Sequence, residues 1–264
     1  MTLSAFIDGI SVIGPGFTDW PAADAVLAGR AAYVPVPTIV PVPQSLPPAE
    51  RRRAGRIVSL AIANGAEAAA RAGLAVASLA AVFSSSGADG DNCHEICQTL
   101  ASDERQLSPT RFHNSVHNVP AGYWSIATRS MEPSTTLCAY DASFAAGLLE
   151  ALVQVVTLNR AVLLVSCDAT YPPPLREKRP ILDSFGTAFA LLPERSERSM
   201  ARLSVWIERG KFDRMKDHGL EQLRAGTPAG RALPLLALLA HRHAGVVTLE
   251  YLDAMTLRGE VQSC

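Results

Sequence analysis

The chain has 264 residues, 48% of them hydrophobic and 19% charged, with a net charge of −1. This is the balance of a globular chain that can bury a sizeable core, and it gives no electrostatic case for nucleic acid or an acidic membrane as partner. Five cysteines, odd in number and unevenly spread, outline no disulfide framework, and no apolar run is expected to reach the ~18–20 residues that span a bilayer.

Met1 to Gly14 has no basic segment and contains Asp8, so it does not read as a signal peptide and a cytoplasmic protein is expected. Phe6 to Ile13 alternates toward a strand and stops at the Gly14-Pro15-Gly16 turn. Pro35 to Pro48 is proline-rich and predicts little regular structure. From Pro48 a long helix is predicted through Arg51-Arg52-Arg53, Ile57, Leu60 and Ala68 to Arg71; the arginine run reads as a solvated face, with docking of an acidic carrier protein as the alternative.

Leu79 to Gly87 reads as a buried strand followed by a loop of small residues. The next helix carries Cys93 and Cys97, which share a face at i and i+4 but have no second Cys/His pair to complete a metal site. No metal or cofactor is expected. Residues 134 to 156 read as strand, sharp turn and helix, with Cys138 inside the strand as a buried apolar residue. Ala161 to Asp168 is a continuous apolar run of the kind found in central strands. Leu203 to Glu208 reads as a further strand. The alternation of strands and helices predicts an α/β sheet.

Two stretches carry more than periodicity. Ser108-Pro109-Thr110-Arg111-Phe112-His113-Asn114-Ser115-Val116-His117-Asn118-Val119-Pro120 leads into Tyr123-Trp124, and Cys138-Ala139-Tyr140-Asp141-Ala142-Ser143-Phe144-Ala145-Ala146-Gly147 follows. Together they resemble the β-ketoacyl synthase segment that runs from a Ser-Pro loop, through the dimer-interface helix, to the nucleophile. Arg179-Pro180-Ile181-Leu182-Asp183 and Gly186-Thr187-Ala188 resemble later motifs of the same family. The resemblance covers about residues 1 to 210. It implies a thiolase-like α/β fold, the first half largely complete and the second truncated. One domain over 1–264 is expected, ending in a reduced remnant of about 211–264 that supplies one helix and one strand (Val246 to Leu252).

In that family an Ala-Cys-x-x-Gly turn presents the acyl-accepting thiol. Ser143-Phe144-Ala145-Ala146-Gly147 matches it, which places Phe144 at the nucleophile position; a slip of one residue places Ser143 there instead. A phenyl ring cannot be acylated, and serine needs an adjacent base. The two histidine motifs of the family's second half are missing; His241 and His243 read as a polar helix end. The short form resembles the chain-length-factor-like group of polyene and pigment pathways, such as the aryl polyene type. It implies a non-catalytic subunit paired with a full-length ketosynthase that meets acyl carrier protein. Phe112, His113, His117, Tyr123, Trp124 and Cys138 are the expected tunnel and interface residues, with Phe112, His117 or Trp124 as tunnel floor. The alternative is a stand-alone acyltransferase, hydrolase or ketosynthase-like enzyme that uses Ser143, or His113 and His117, which form an i, i+4 acid–base pair if that segment is helical.

Overall fold

The computed structural model describes residues 2–87 and 89–264. In chain order its elements are β1 (Leu3–Ile13), α1 (Trp20–Leu27), α2 (Pro48–Arg53), α3 (Arg56–Ala72), β2 (Ala80–Ser84), α4 (Gly90–Ala101), α5 (Pro109–Asn114) and α6 (Val119–Thr128). There follow β3 (Ser134–Leu137), α7 (Ser143–Leu158), β4 (Val162–Asp168), α8 (Leu175–Lys178), β5 (Phe185–Leu192) and β6 (Ala201–Arg209). The chain ends with α9 (His218–Gly226), α10 (Leu233–Ala240), β7 (Gly245–Glu250) and β8 (Met255–Ser263).

Among the described residues, eight strands form one mixed sheet in the order β3-β2-β4-β5-β1-β6-β8-β7. β2 runs parallel to both β3 and β4, and the remaining pairs are antiparallel. α1, α7 and α10 cover one face; α3 and α6 cover the other. The thiolase-like α/β class expected from the sequence is the one observed.

β1 shows how a local irregularity serves both layers. Leu3, Ala5 and Ile7 face the α7 side, and so do Ile10 and Val12. The parity changes because a register shift lies between Ile7 and Gly9. Gly9 is required there, since a Cβ would lie 2.0 Å from the Ala68 carbonyl oxygen of α3. The opposite layer is built by α3, whose Ile57, Leu60, Ala61, Ala68 and Ala72 repeat at helical spacing and are buried. Gly73, at φ 68°, closes that helix.

Three expectations need correction, and one strand carries no signal in the sequence. The single helix from Pro48 is two helices, because Ala54 and Gly55 adopt extended backbone and Asp89 packs where a Gly55 side chain would stand. β5 carries no alternating pattern in the sequence: Phe185 to Leu191 are all buried, which removes the alternation that marks a strand. The segment beyond residue 210 supplies α9, α10, β7 and β8, not one helix and one strand. Finally, the helical stretch Tyr140–Leu158 is 19 residues long and apolar enough to cross a membrane by length and composition. Half of it is buried inside the protein, against β1, β2 and β4, so its apolarity has a packing explanation.

Candidate functional site

The turn from β3 into α7 is the centre of the site. β3 is the last strand of the sheet, paired only with β2, so its outer edge is open. Beyond Leu137 the chain leaves the sheet, and Tyr140 to Ala142 make one 3-10 turn before α7 begins. Tyr140 has φ 52°, a left-handed conformation that is unfavourable for an aromatic residue.

Ser143 closes the turn from inside. Its hydroxyl accepts from Ala139 N at 3.0 Å and donates to the Tyr140 carbonyl at 2.7 Å. The side chain is buried, and its proton is held by that carbonyl rather than by a histidine. Phe144 lies in the first turn of α7, its ring 5.9 Å from Phe189 of β5 and buried in the core. It points into the layer between helix and sheet, not to the open side of the turn. Gly147, one turn further on, sits on β2: a Cβ would be 2.5 Å from Ser84 Oγ. Gly147 thus lets α7 pack closely on β2 beneath the turn.

The open side carries different residues. Tyr140 is 61% exposed, with the Arg179 guanidinium 3.7 Å from its ring centre. Asp141 pairs with Arg179 and with Arg231, the latter at 3.1 Å. Asp168, at the end of β4, accepts from Ser86 N at 2.7 Å, Ser86 Oγ at 2.6 Å and Ala229 N at 2.9 Å. Burial pushes the Asp168 carboxyl up, against the pull of those hydrogen bonds. Burial also raises the Tyr171 hydroxyl beside it.

The other predicted residues separate into surface and core. Cys138 lies past the end of β3 and is exposed, with Sγ donating to the Ser86 carbonyl at 3.3 Å; the expectation of a buried strand residue is corrected. His113 ends α5, but His117 is in the connection to α6, so the two do not share a helical face. His117 Nε2 lies 3.3 Å from Ser85 Oγ. Phe112 is 60% exposed on α5. Tyr123 and Trp124 are buried in the α3 layer, Trp124 edge-on to Phe83 and Tyr123 OH donating to Asn114 Oδ1 at 3.2 Å. They are core residues, and Trp124 does not face an open channel. His241 and His243 are exposed beyond α10, as a polar helix end requires.

One feature escaped sequence reasoning. A groove of about 440 Å³ with a mainly apolar surface runs between α4 and α8, lined by Cys93, His94, Cys97, Pro174 and Leu175, with Glu177 and Lys178 also contributing. The shared face of Cys93 and Cys97 was legible; the wall supplied by α8, some 80 residues away, was not. Among the described residues no three His, Cys, Asp or Glu side chains group as a metal site.

A model of the β-ketoacyl synthase N-terminal domain matches residues 21–249. No curated protein matches the sequence. Among solved structures, a chain of the ketosynthase ApeO in complex with its chain length factor ApeC, from Xenorhabdus doucetiae, aligns with a TM-score of 0.74 at 21% identity, over 98% of this chain and 99% of that one. The ishigamide ketosynthase/chain length factor gives 0.74 at 14% identity over 98% and 99%. A chain of AntDE:AntF, a type II polyketide carrier protein in complex with its hexaketide-bound ketosynthase, gives 0.77 at 10% identity over the full length of both chains. At these identities the likeness is one of fold.

Proposed function

Since this chain belongs to the β-ketoacyl synthase family, matched over that family's N-terminal domain, we propose that it is a non-catalytic, chain-length-factor-like subunit. It pairs with a catalytic ketosynthase, and the pair handles acyl groups delivered by a carrier protein, in the cytoplasm. One observation carries this reading: from Ala139 to Gly147 the turn and the start of α7 contain no thiol. This holds whether the nucleophile's place is assigned to Phe144, to Ser143 or to the 3-10 turn before them. The Ser143 hydroxyl is spent on the backbone, and Phe144 is spent on the core.

Pairing is supported by the open edge of β3. An unpaired strand edge invites a partner strand, and Met131, 97% exposed, stands just before it. Binding of an acyl chain is supported by the groove between α4 and α8, whose lining is mostly apolar side-chain carbon and sulfur. Phe112, His113, His117 and Cys138 are the surface residues assigned to the interface and tunnel wall. Residues 1–264 act as one domain in this reading, with the segment from about 211 completing the sheet rather than adding a second catalytic half. The aryl polyene type of pathway is the proposed context.

The test is co-expression with a full-length catalytic ketosynthase. A stable heterodimer is expected, in which acyl label from carrier protein appears on the partner alone. Label on this chain that disappears in Ser143→Ala would overturn the non-catalytic reading. A monodisperse monomer that ignores the ketosynthase would overturn the pairing.

A further inference from the structure

The turn after β3 is tied to the end of the chain by a ladder of charges. Asp141 meets Arg231 at 3.1 Å, and Arg231 meets Glu250 of β7 at 3.2 Å. Glu250 meets Arg224 of α9 at 3.3 Å, and Arg224 also pairs with Glu221 at 2.8 Å. Arg179 completes the ladder from the other side of Asp141. The 3-10 segment Ala229–Ala232 is held twice, through Asp168 on Ala229 N and through Asp141 on the Arg231 side chain. Asp141 lies just beyond the carboxyl end of β3 and Asp168 is the last residue of β4, at the end of the sheet where α/β folds usually place their ligands.

Burial makes this ladder consequential. The Arg231 side chain is 11% exposed, and its Nη1 has no hydrogen-bond partner; Nε is within ion-pair reach of Glu250 but not aligned for a hydrogen bond. Asp141 is thus the group that receives a direct hydrogen bond from this guanidinium, through Nη2. Without it this nearly buried cation would keep the misaligned Glu250 contact but lose its hydrogen-bonded carboxylate, and an under-compensated charge is the costly way to break a buried pair.

We infer that Asp141 is a positioning residue: the turn that carries the nucleophile's chemistry elsewhere in this family serves here as a lock that holds α9, Ala229–Ala232 and β7 onto the body of the fold. The lock acts within this chain and does not depend on whether the chain pairs with a ketosynthase.

Hydrogen exchange on the full chain tests it. Asp141→Asn should speed exchange in peptides from residues 218–250 by roughly tenfold or more, the factor that ~1.4 kcal/mol of local opening supplies. Peptides of α3 should exchange as in the wild type. The double variant Asp141→Asn/Arg231→Met removes the stranded charge and should slow exchange in 218–250 again. Glu250→Gln cuts the ladder away from the turn and gives a milder acceleration of the same peptides. Wild-type exchange in both single variants overturns the lock. So does an acceleration shared equally by α3, or a double variant that opens further than Asp141→Asn.

Discussion

Replacing Phe144 with cysteine restores a thiol at the position matched by sequence, and it should not restore chemistry. The ring is almost fully buried and packs 5.9 Å from Phe189. Truncating a buried phenylalanine to alanine costs ~3–5 kcal/mol. The sulfur refills part of the space, so Phe144→Cys should cost roughly 2–4 kcal/mol. At ~2–4 °C per kcal/mol for a chain of this size, the Tm should fall by roughly 4–16 °C. The new thiol would face the core, where burial raises the pKa as it does for Cys167 on β4, and a thiolate would not form readily. Intact mass after incubation with acyl-carrier thioesters should show the variant unmodified, alone and with a co-expressed ketosynthase. A stoichiometric thioester at position 144, with a melting curve close to wild type, would refute the reasoning. It would mean that α7 begins with position 144 facing an open pocket.

Further outcomes are expected from the same geometry. Leu175→Trp should fill the groove between α4 and α8 and shorten the products of the reconstituted pair, while Phe112→Ala should lengthen them; product profiles by mass spectrometry check both, and unchanged profiles would remove these residues from the tunnel. Ser166→Ala should be neutral or slightly stabilising in a denaturant titration, because the Ser166 hydroxyl is buried without a partner and its removal leaves nothing newly unsatisfied; a loss above ~1 kcal/mol would reveal a bond that Ser166 does make. Asp168→Asn should show a pH-dependent penalty. The folded-state pKa of Asp168 is raised, so its contribution is greatest below the ordinary aspartate value and declines as pH rises through the raised one. The stability gap between wild type and Asp168→Asn should therefore narrow from acid toward neutral pH, and a gap that widens would contradict the sign.

What was legible in the sequence was what local pattern encodes. β4 announced itself as a run of apolar residues, and the helix of Cys93 and Cys97 by its spacing. The layout of strand, turn and helix across residues 134 to 156 was legible because glycine and small residues mark tight contacts, and Gly147 does pack on Ser84. β5 was hidden because burial on both faces erases alternation. β8 and α9 were hidden because the segment beyond residue 210 was expected to supply one helix and one strand. The burial of Tyr123 and Trp124 was not legible for a related reason. Aromatic residues near an interface helix look alike in sequence whether they face a channel or the core, and only α3, packed across them, decides which.

The turn itself separates residue identity from residue role. Counting from Gly147 selects Phe144, and the absence of a thiol there is secure from sequence. The side chains that occupy the open face are Tyr140, Asp141 and Arg179, together with an arginine that arrives from position 231. No spacing rule connects residues 141, 179 and 231, so nothing local could have forecast their meeting. Their arrangement also gives a physical reason why single-site reversion should fail. A cysteine placed at 144 is enclosed by the core, and one placed at 141 would remove the carboxylate on which Arg231 depends. The turn that lacks a thiol from Ala139 to Gly147 also attaches the C-terminal segment, so a cysteine placed at 141 would loosen that segment.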